Sequence, residues 1–221
     1  FFPNEPYVEV HSLEDGFGEI AAHIEPVMLG MVSCATARLT IERHWLKRIE
    51  EHIRNDFPEM PEEQIRQRAE FFIHDFGMRA SSCGEESEIY GLAHLLVFNG
   101  TDTFSSAYLA RQMGALPPIG TSILALAHRI VQGHGTDFGA CDAILREAKH
   151  SRPGFEPVIA SMVADCYNYE NAVKNVIMRL ASNGSGDICV TRPDSGDYID
   201  TVMFVVKQAV EKEIFTIEFG K

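Results

Sequence analysis

Short apolar segments that end in polar residues recur along most of this chain and alternate with segments of helical character. The pattern predicts five strands, at residues 72–76, 95–98, 118–120, 157–163 and 188–191. Because these strands are apolar throughout, both of their faces must be covered, as in a parallel sheet flanked by helices or in a barrel. The sequence therefore predicts an α/β fold built from repeated strand–helix units.

Apolar residues at helical spacing mark the helices. This spacing predicts helices around residues 172–180 and 199–210 in the second half of the chain. In the first half it predicts a helix over residues 37–55 and another from Pro61 to about residue 71, with two glutamates in its first turn. Residues 1–24 show few helix signals, and we expect a short strand and a turn there.

Charge and cysteine content narrow the class of protein. A net charge of −13 argues against a nucleic-acid-binding or anionic-membrane surface, because both need basic clusters. The five cysteines include no C-x-x-C pair, which favours reduced thiols in a cytoplasmic protein. The sequence shows no signal peptide or transmembrane run. The chain begins at Phe1 and stops just after an apolar run, so we expect a fragment of a longer protein.

Four aspartates lie at or beyond the ends of predicted strands, where α/β folds carry catalytic residues: Asp75, Asp102, Asp165 and Asp194. Arg192 and Asp194 flank a proline and can face one cleft, binding an anion or carbonyl together with sugar hydroxyls or a metal ion. The alternative is a surface turn in which the two residues pair. Asp165 and Asp194 can share Mg²⁺ through oxygen ligands and water, or serve as turn and cap residues.

Other candidates also have two interpretations. Arg79 suits a phosphate clamp, or is a solvated arginine paired with Asp75. Phe76 can stack on a flat ring or pack in the core. Asp102 can accept hydrogen bonds from an amide, or cap the next helix. His128 can hold a phosphate or transfer a proton near neutral pH, or can be a core histidine.

Taken in order, five motifs resemble those of the nicotinamide phosphoribosyltransferases, which are type II phosphoribosyltransferases. The motifs are His-Asp-Phe-Gly-Met-Arg at 74–79, Asn-Gly-Thr-Asp-Thr at 99–103, Gly-Thr-Ser at 120–122 with His128, Ser161 to Asp165 with Tyr167, and Thr-Arg-Pro-Asp-Ser-Gly at 191–196. The resemblance runs in register over roughly residues 70–205. Five ordered motifs are a specific signal, although any one alone would be weak.

The resemblance implies a dimeric enzyme with an incomplete TIM-like (β/α) barrel of parallel strands and part of a smaller flanking domain. Residues 1–70 would be the flanking helical part. Residues 71–221 would be the first half of a truncated α/β barrel with the nucleobase side of the active site. The implied reaction joins nicotinamide to phosphoribosyl pyrophosphate, giving nicotinamide mononucleotide and pyrophosphate in NAD salvage. Mg²⁺ is the implied cofactor, and ATP is an implied activator.

On the nucleobase side, the resemblance implies that Phe76 stacks on the pyridine ring and that Arg192 lies on the other side of the ring. Asp102 would accept from the amide NH₂, and Ser161 would lie near the amide oxygen. Ser122 is also implied to bind substrate.

On the phosphate side, the resemblance implies that Arg79 and His128 hold pyrophosphate. Asp165 and Asp194 would hold the ribose and the metal. His128, Asp165 and Asp194 are the expected catalytic residues.

The charge at Asp102 favours the amide over the acid as substrate, because nicotinate is an anion and would be repelled there. Nicotinate phosphoribosyltransferase remains the close alternative, since Met78 stands where the family usually has tyrosine and residues 35–38 look equally like nicotinate-using relatives. A fragment that binds ligand without turnover is an alternative from another class. A metal-dependent barrel hydrolase fits less well, because His128 alone is a poor supply of ligands.

Overall fold

The computed structural model describes residues 8–116, 120–151, 153–154, 158–183 and 187–212. Its contacts divide the chain into two compact units, Phe1–Ser122 and Ile123–Lys221. Each unit has a parallel sheet, with the strands β1 (His74–Asp75) and β2 (Gly100–Thr101) in the first, and β3 (Leu124–Leu126), β4 (Ile159–Val163) and β5 (Ile188–Arg192) in that order in the second. The predicted α/β class with parallel strands is confirmed. The described strands do not close a barrel, so the incomplete TIM-like barrel and the boundary at residue 70 stay predictions.

The first unit begins with a long helix, α1 (Gly18–Asp56). It contains the predicted helix over 37–55, but the expectation of few helical residues before residue 25 is wrong from Gly18 onward. Residues 18–36 carry two glutamates and no lysine or arginine, so no amphipathic pattern marks them as a helix. Alanine, leucine and methionine favour the helix there by their intrinsic propensity. α1 is also long and apolar enough to cross a membrane by length and composition alone. Core helices of soluble proteins and signal sequences pass the same test. The expectation of no transmembrane run had overlooked this segment.

Helix α2 (Glu62–Ala69) follows Pro61, as predicted. Ile53 of α1 packs with Ile65 and Ala69 of α2 in a small buried core. Burying an aliphatic side chain of this size stabilises the folded state by about 1.5–3 kcal/mol. This contact fixes α1 against the part of the chain that leads into β1.

The second and third predicted strands differ from the structure. The apolar run 95–98 is not a strand, because Leu95 ends helix α3 (Gly84–Leu95) and Val97 and Phe98 fill a buried turn. The strand β2 comes directly afterwards, and helix α4 (Phe104–Gln112) follows it. Val97 and Phe98 are apolar because they are buried, and burial alone does not distinguish a strand from a helix end. Of the third predicted strand, residues 118 and 119 lie outside the described residues, and the strand observed in that region is β3.

In the second unit, the predicted strands β4 and β5 and the predicted helices α7 (Tyr169–Asn183) and α8 (Tyr198–Glu211) are confirmed. Helices α5 (His128–Gly133) and α6 (Asp137–Ser151) complete the described part of this unit. β4 is the central strand, and its Ala160, Met162 and Val163 pack with Ile144 and Leu145 of α6 in a buried core. The core therefore holds in place the strand whose end leads to Asp165.

Two local contacts fix the ends of this sheet. Lys149 of α6 lies 2.9 Å from the carboxylate of Asp187, whose other oxygen accepts a hydrogen bond from the backbone N–H of Val158 at 3.2 Å. Asp187 and Val158 come just before β5 and β4, so this buried pair joins the starts of both strands. At the other end, Asp197 caps α8 by accepting from the backbone N–H groups of Ile199 and Asp200.

Candidate active site

In the first unit, Asp102 directly follows β2 and lies at the centre of a group of polar side chains. Its backbone N–H donates to the carbonyl of Asp75 at 2.9 Å, which fixes the end of the strand. Its carboxylate accepts a hydrogen bond from the Ser122 hydroxyl and lies 3.3 Å from Nε2 of His74. The Phe76 ring lies 4.7 Å from the His74 ring, and Phe76 is 43% exposed. An aromatic face, an imidazole, a carboxylate and a hydroxyl therefore follow one another at the ends of β1 and β2.

Asp75 differs from the expectation that its side chain would lie at the strand exit. It is 7% exposed, and its Oδ1 accepts from the backbone N–H of Gly77 at 2.9 Å. A Cβ at Gly77 would lie 2.8 Å from that oxygen, so a larger residue there would displace the Asp75 carboxylate. Asp75 shapes the turn that carries Phe76, and Arg79 follows in an exposed 3₁₀ turn, Gly77–Ala80.

In the second unit, a histidine and two aspartates converge at the ends of β4 and β5. Nε2 of His128 lies 3.1 Å from Asp165 Oδ1 and 3.7 Å from Asp194 Oδ2. The Ser195 hydroxyl donates to the other Asp165 oxygen at 2.7 Å. We call His128, Asp165, Asp194 and Ser195 the strand-end cluster. The sequence analysis singled out its first three members and missed Ser195, whose place within the motif at 191–196 was the available signal.

Contacts from the loop after β4 hold His128 in this position. The Cys166 thiol lies 3.7 Å from the carbonyl of His128, and the Tyr167 hydroxyl donates to the carbonyl of Gln132 at 2.9 Å. Burial raises the pKa of the Cys166 thiol, and the neighbouring charges of Asp165 and Asp137 raise it further. The thiol therefore stays protonated near neutral pH and can donate to the first turn of α5.

The remaining predicted site residues lie on the strands of the second unit. Ser161 is in the middle of β4 and is 3% exposed. Arg192 is the last residue of β5 and is half-buried, and its carbonyl accepts from the backbone N–H of Ala164 at 3.0 Å. Their roles toward a substrate stay predictions.

Sequence comparison places these residues in a known family. The family model described as the nicotinate phosphoribosyltransferase (NAPRTase) family matches residues 71–212, more than half of the chain. The chain belongs to this family. It is also 33% identical over 150 residues to a protein of Xanthomonas campestris pv. campestris (strain 8004) named nicotinamide phosphoribosyltransferase. That alignment covers 66% of this chain and 31% of the relative, so the chain spans about a third of the relative's length. The family resemblance inferred from the five motifs is confirmed.

Membership of the nicotinate phosphoribosyltransferase family raises the question of whether these residues suit the implied Mg²⁺. Among the described residues, no group of three or more histidine, cysteine, aspartate or glutamate side chains is arranged to hold a metal. Mg²⁺, however, is usually bound by one or two carboxylates together with water and substrate phosphates. Asp165 and Asp194 offer oxygen ligands of that kind, and the Asp194 side chain is 43% exposed. The strand-end cluster thus fits a metal that arrives with a phosphorylated substrate.

Proposed function

We propose that this chain carries substrate-binding residues of an enzyme that transfers the phosphoribosyl group of phosphoribosyl pyrophosphate to nicotinamide. The products are nicotinamide mononucleotide and pyrophosphate. The observation that most supports nicotinamide is the partly exposed carboxylate of Asp102, which is held by His74 and Ser122 next to the exposed ring of Phe76. The family match supports the reaction class.

On the nucleobase side, Phe76 offers an exposed aromatic face for the pyridine ring. Asp102 accepts a hydrogen bond from the amide NH₂ of nicotinamide, an interaction strengthened by the charge of the carboxylate. Nicotinate would bring its own negative charge to this carboxylate and be disfavoured. In the proposal, Ser161 lies near the amide oxygen and Arg192 on the other side of the ring.

On the phosphoribosyl side, the ring nitrogen of nicotinamide forms a bond to the anomeric carbon while the bond to the pyrophosphate oxygen breaks. Positive charge develops on the ribose in the transition state, as in glycoside cleavage. The carboxylates of Asp165 and Asp194 stabilise that charge. Arg79 and His128 neutralise the leaving pyrophosphate. Bound Mg²⁺, held by Asp165 and Asp194, would supply further neutralisation of the pyrophosphate charge.

The proposal also includes a homodimer, a cytoplasmic location and ATP as an activator. In the nicotinamide phosphoribosyltransferases that the chain resembles, ATP hydrolysis is coupled to synthesis through a phosphorylated histidine at the position of His128. This histidine is 43% exposed here, which leaves its ring accessible.

Nicotinate phosphoribosyltransferase is the second candidate, favoured by the description of the family that matches. A mixed-substrate experiment decides between the two. The complete reading frame is incubated with Mg²⁺, phosphoribosyl pyrophosphate and equal amounts of nicotinamide and nicotinate, and the products are read by mass. We expect nicotinamide mononucleotide. Nicotinate mononucleotide would contradict the role of Asp102, and folded protein that forms neither would favour a ligand-binding remnant.

The variant Asp102→Ser sharpens this test, because it removes the charge that repels nicotinate. We expect the ratio of kcat/KM for nicotinamide over nicotinate to fall about tenfold or more, the equivalent of at least 1.4 kcal/mol of discrimination. Asp200→Ser, an exposed aspartate on α8, is the control and should leave the ratio unchanged.

A further inference from the structure

A histidine and a glutamate are buried together in the first unit, behind β2. His94 on α3 is fully shielded from solvent, and Glu42 on α1 is 3% exposed. Nδ1 of His94 lies 3.0 Å from Glu42 Oε1, and its Nε2 lies 2.9 Å from the carbonyl oxygen of Gly100, the first residue of β2. The imidazole therefore joins α1 to the backbone of β2.

Both nitrogens of the His94 ring face oxygen atoms, which constrains the protons of the pair. The Gly100 carbonyl can only accept, so Nε2 carries a proton. An ionised carboxylate also only accepts, so either Nδ1 is protonated as well or the Glu42 carboxyl keeps its own proton. Arg38 forms an ion pair with the same glutamate oxygen, while Glu42 Oε2 has no hydrogen-bond partner among the described residues. One proton is thus held between two buried groups that depend on each other.

The carbonyl that His94 holds belongs to a strand of only two residues, and Asp102 follows at once. With so few ladder hydrogen bonds, each contact of β2 is a large share of what fixes Asp102. Space at Gly100 is tight as well, because a Cβ there would lie 2.5 Å from Nδ1 of His74. The backbone at Gly100 therefore lies between two imidazoles, one hydrogen-bonded to its carbonyl and one against its Cα.

We infer that Glu42 and His94 are positioning residues that set the place of Asp102 in the nicotinamide site, an inference that rests on the function proposed above. Neither side chain is placed against the base: His94 acts through the Gly100 carbonyl, and Glu42 acts through His94. Glu42 also precedes residue 71, so it lies outside the family match. A helix of the flanking region thus contributes to selection of the base.

Four variants of the complete protein separate positioning from plain stability. His94→Leu removes both hydrogen bonds, whereas His94→Gln keeps an N–H donor that can reach the Gly100 carbonyl. Glu42→Gln keeps the shape and removes the charge. Ile65→Ala is the matched control, because it empties a buried site in the core whose described members lie on or between α1 and α2. The KM values of nicotinamide and of phosphoribosyl pyrophosphate are measured for each variant, together with its Tm.

We expect His94→Leu to raise the KM of nicotinamide about tenfold, the loss expected when a buried hydrogen bond that holds a binding group is removed. Its KM for phosphoribosyl pyrophosphate should change less than about twofold, because neither hydrogen bond of His94 holds a residue that the proposal assigns to this substrate. His94→Gln should recover most of the affinity, and Glu42→Gln should be intermediate. Ile65→Ala should lower the Tm and leave both KM values unchanged. If His94→Leu lowers the Tm as Ile65→Ala does and moves neither KM, the pair has only a structural role and the inference is wrong.

A second measurement keeps the inference testable if the proposed function fails. If the folded wild-type protein converts neither base, hydrogen exchange at the Thr101 and Asp102 amides is compared between wild type, His94→Gln and His94→Leu. Positioning predicts exchange at least about tenfold faster in His94→Leu at these amides than in the wild type, with protection restored by His94→Gln. Unchanged exchange at these amides in folded His94→Leu would overturn the inference whatever the enzyme's substrate.

Discussion

Two histidine–carboxylate pairs of nearly equal length lie in very different surroundings in the two units. His94 and Glu42 are 3.0 Å apart and shut off from solvent, whereas His128 and Asp165 are 3.1 Å apart with side chains 43% and 13% exposed. We call His94 and Glu42 the sealed pair, and His128 and Asp165 the open pair. In the sealed pair, both ring nitrogens of His94 lie within hydrogen-bond distance of protein oxygen atoms. The open ring has its Nε2 between two carboxylates at the ends of strands. A histidine–carboxylate pair thus holds the backbone in place when it is buried, and stays accessible to a substrate when it is partly exposed.

The largest effect on this comparison should come from His128→Ala. If the open pair acts on the substrate, the variant should lose about 100-fold or more in kcat/KM, the usual contribution of a positioned acid–base or charge-stabilising group. Because the His128 side chain is partly exposed, the Tm should change little. Steady-state kinetics and thermal unfolding of the complete protein measure both.

His134→Ala is the matched control for this variant, since His134 is an exposed histidine just after the same helix. It should leave kcat/KM and Tm as in the wild type. A His128→Ala enzyme with full activity would remove the distinction between the open and the sealed pair, because neither would then act on substrate.

The next effect concerns the sheet that carries the open pair. Asp187→Ala removes a fully buried carboxylate that joins Lys149 to the starts of β4 and β5. Its loss leaves the buried backbone N–H of Val158 without this hydrogen bond, which costs about 1–3 kcal/mol, whereas the Lys149 side chain is 33% exposed and can reach solvent. Urea unfolding should show this loss, and Asp200→Ala, on the exposed first turn of α8, should cost less than about 1 kcal/mol. An equal loss of unfolding free energy in the two variants would mean that Asp187 is solvated and does not hold the starts of β4 and β5 together.

The second unit could be predicted from the sequence better than the first. β4 and β5 are mostly apolar strands of five residues with polar residues at or just beyond their ends, and α7 and α8 have apolar faces at helical spacing. Their pattern and their structure agree because each apolar run or apolar helical face there lies within one strand or one helix. The position of Asp165 and Asp194 at strand ends could therefore be predicted from the sequence.

In the first unit, burial and secondary structure separate. Val97 and Phe98 are buried in a turn, and the strand consists of Gly100 and Thr101, which no apolar pattern marks. The motif at 99–103 singled out Asp102, which directly follows β2, but nothing in it indicated that His94 holds the carbonyl two residues before. The partner of His94, Glu42, is 52 residues away in the chain, and a contact of that separation leaves no local signal.

A smaller effect is expected from Ser195→Ala, which removes the hydroxyl that donates to Asp165 at 2.7 Å. The loss of one hydrogen bond to a carboxylate should lower kcat about threefold to tenfold by loosening the open pair. Ser151→Ala, which removes a hydroxyl bound to Glu147 on α6, is the control and should leave kcat unchanged. Equal kcat for wild type and Ser195→Ala would show that His128 alone orients Asp165.

The smallest effect concerns a buried carboxyl that, unlike Glu42, forms no ion pair with a histidine among the described residues. Asp137, the first residue of α6, is 5% exposed, and its Oδ1 has no hydrogen-bond partner among the described residues. Burial raises the pKa of this carboxyl above its usual range. The folded state therefore binds the proton more tightly than the unfolded state. The stability from this group is complete below the unfolded pKa, about 3.9, and is lost as the pH rises through the folded pKa.

Asp137→Asn keeps the shape of the side chain and cannot ionise, so it should remove this part of the pH dependence. Urea titrations from pH 4 to pH 7 should show the free energy of unfolding of the variant gaining on that of the wild type as the pH rises. Glu42→Gln should instead destabilise the protein, because it disrupts the buried contact with His94 and removes the ion pair with Arg38. Opposite signs for two isosteric changes at buried carboxyls would show that the histidine makes burial of the Glu42 carboxyl favourable. A wild-type-to-variant difference at Asp137 that is constant with pH would mean that water reaches this carboxyl, and the contrast would then rest on Glu42 alone.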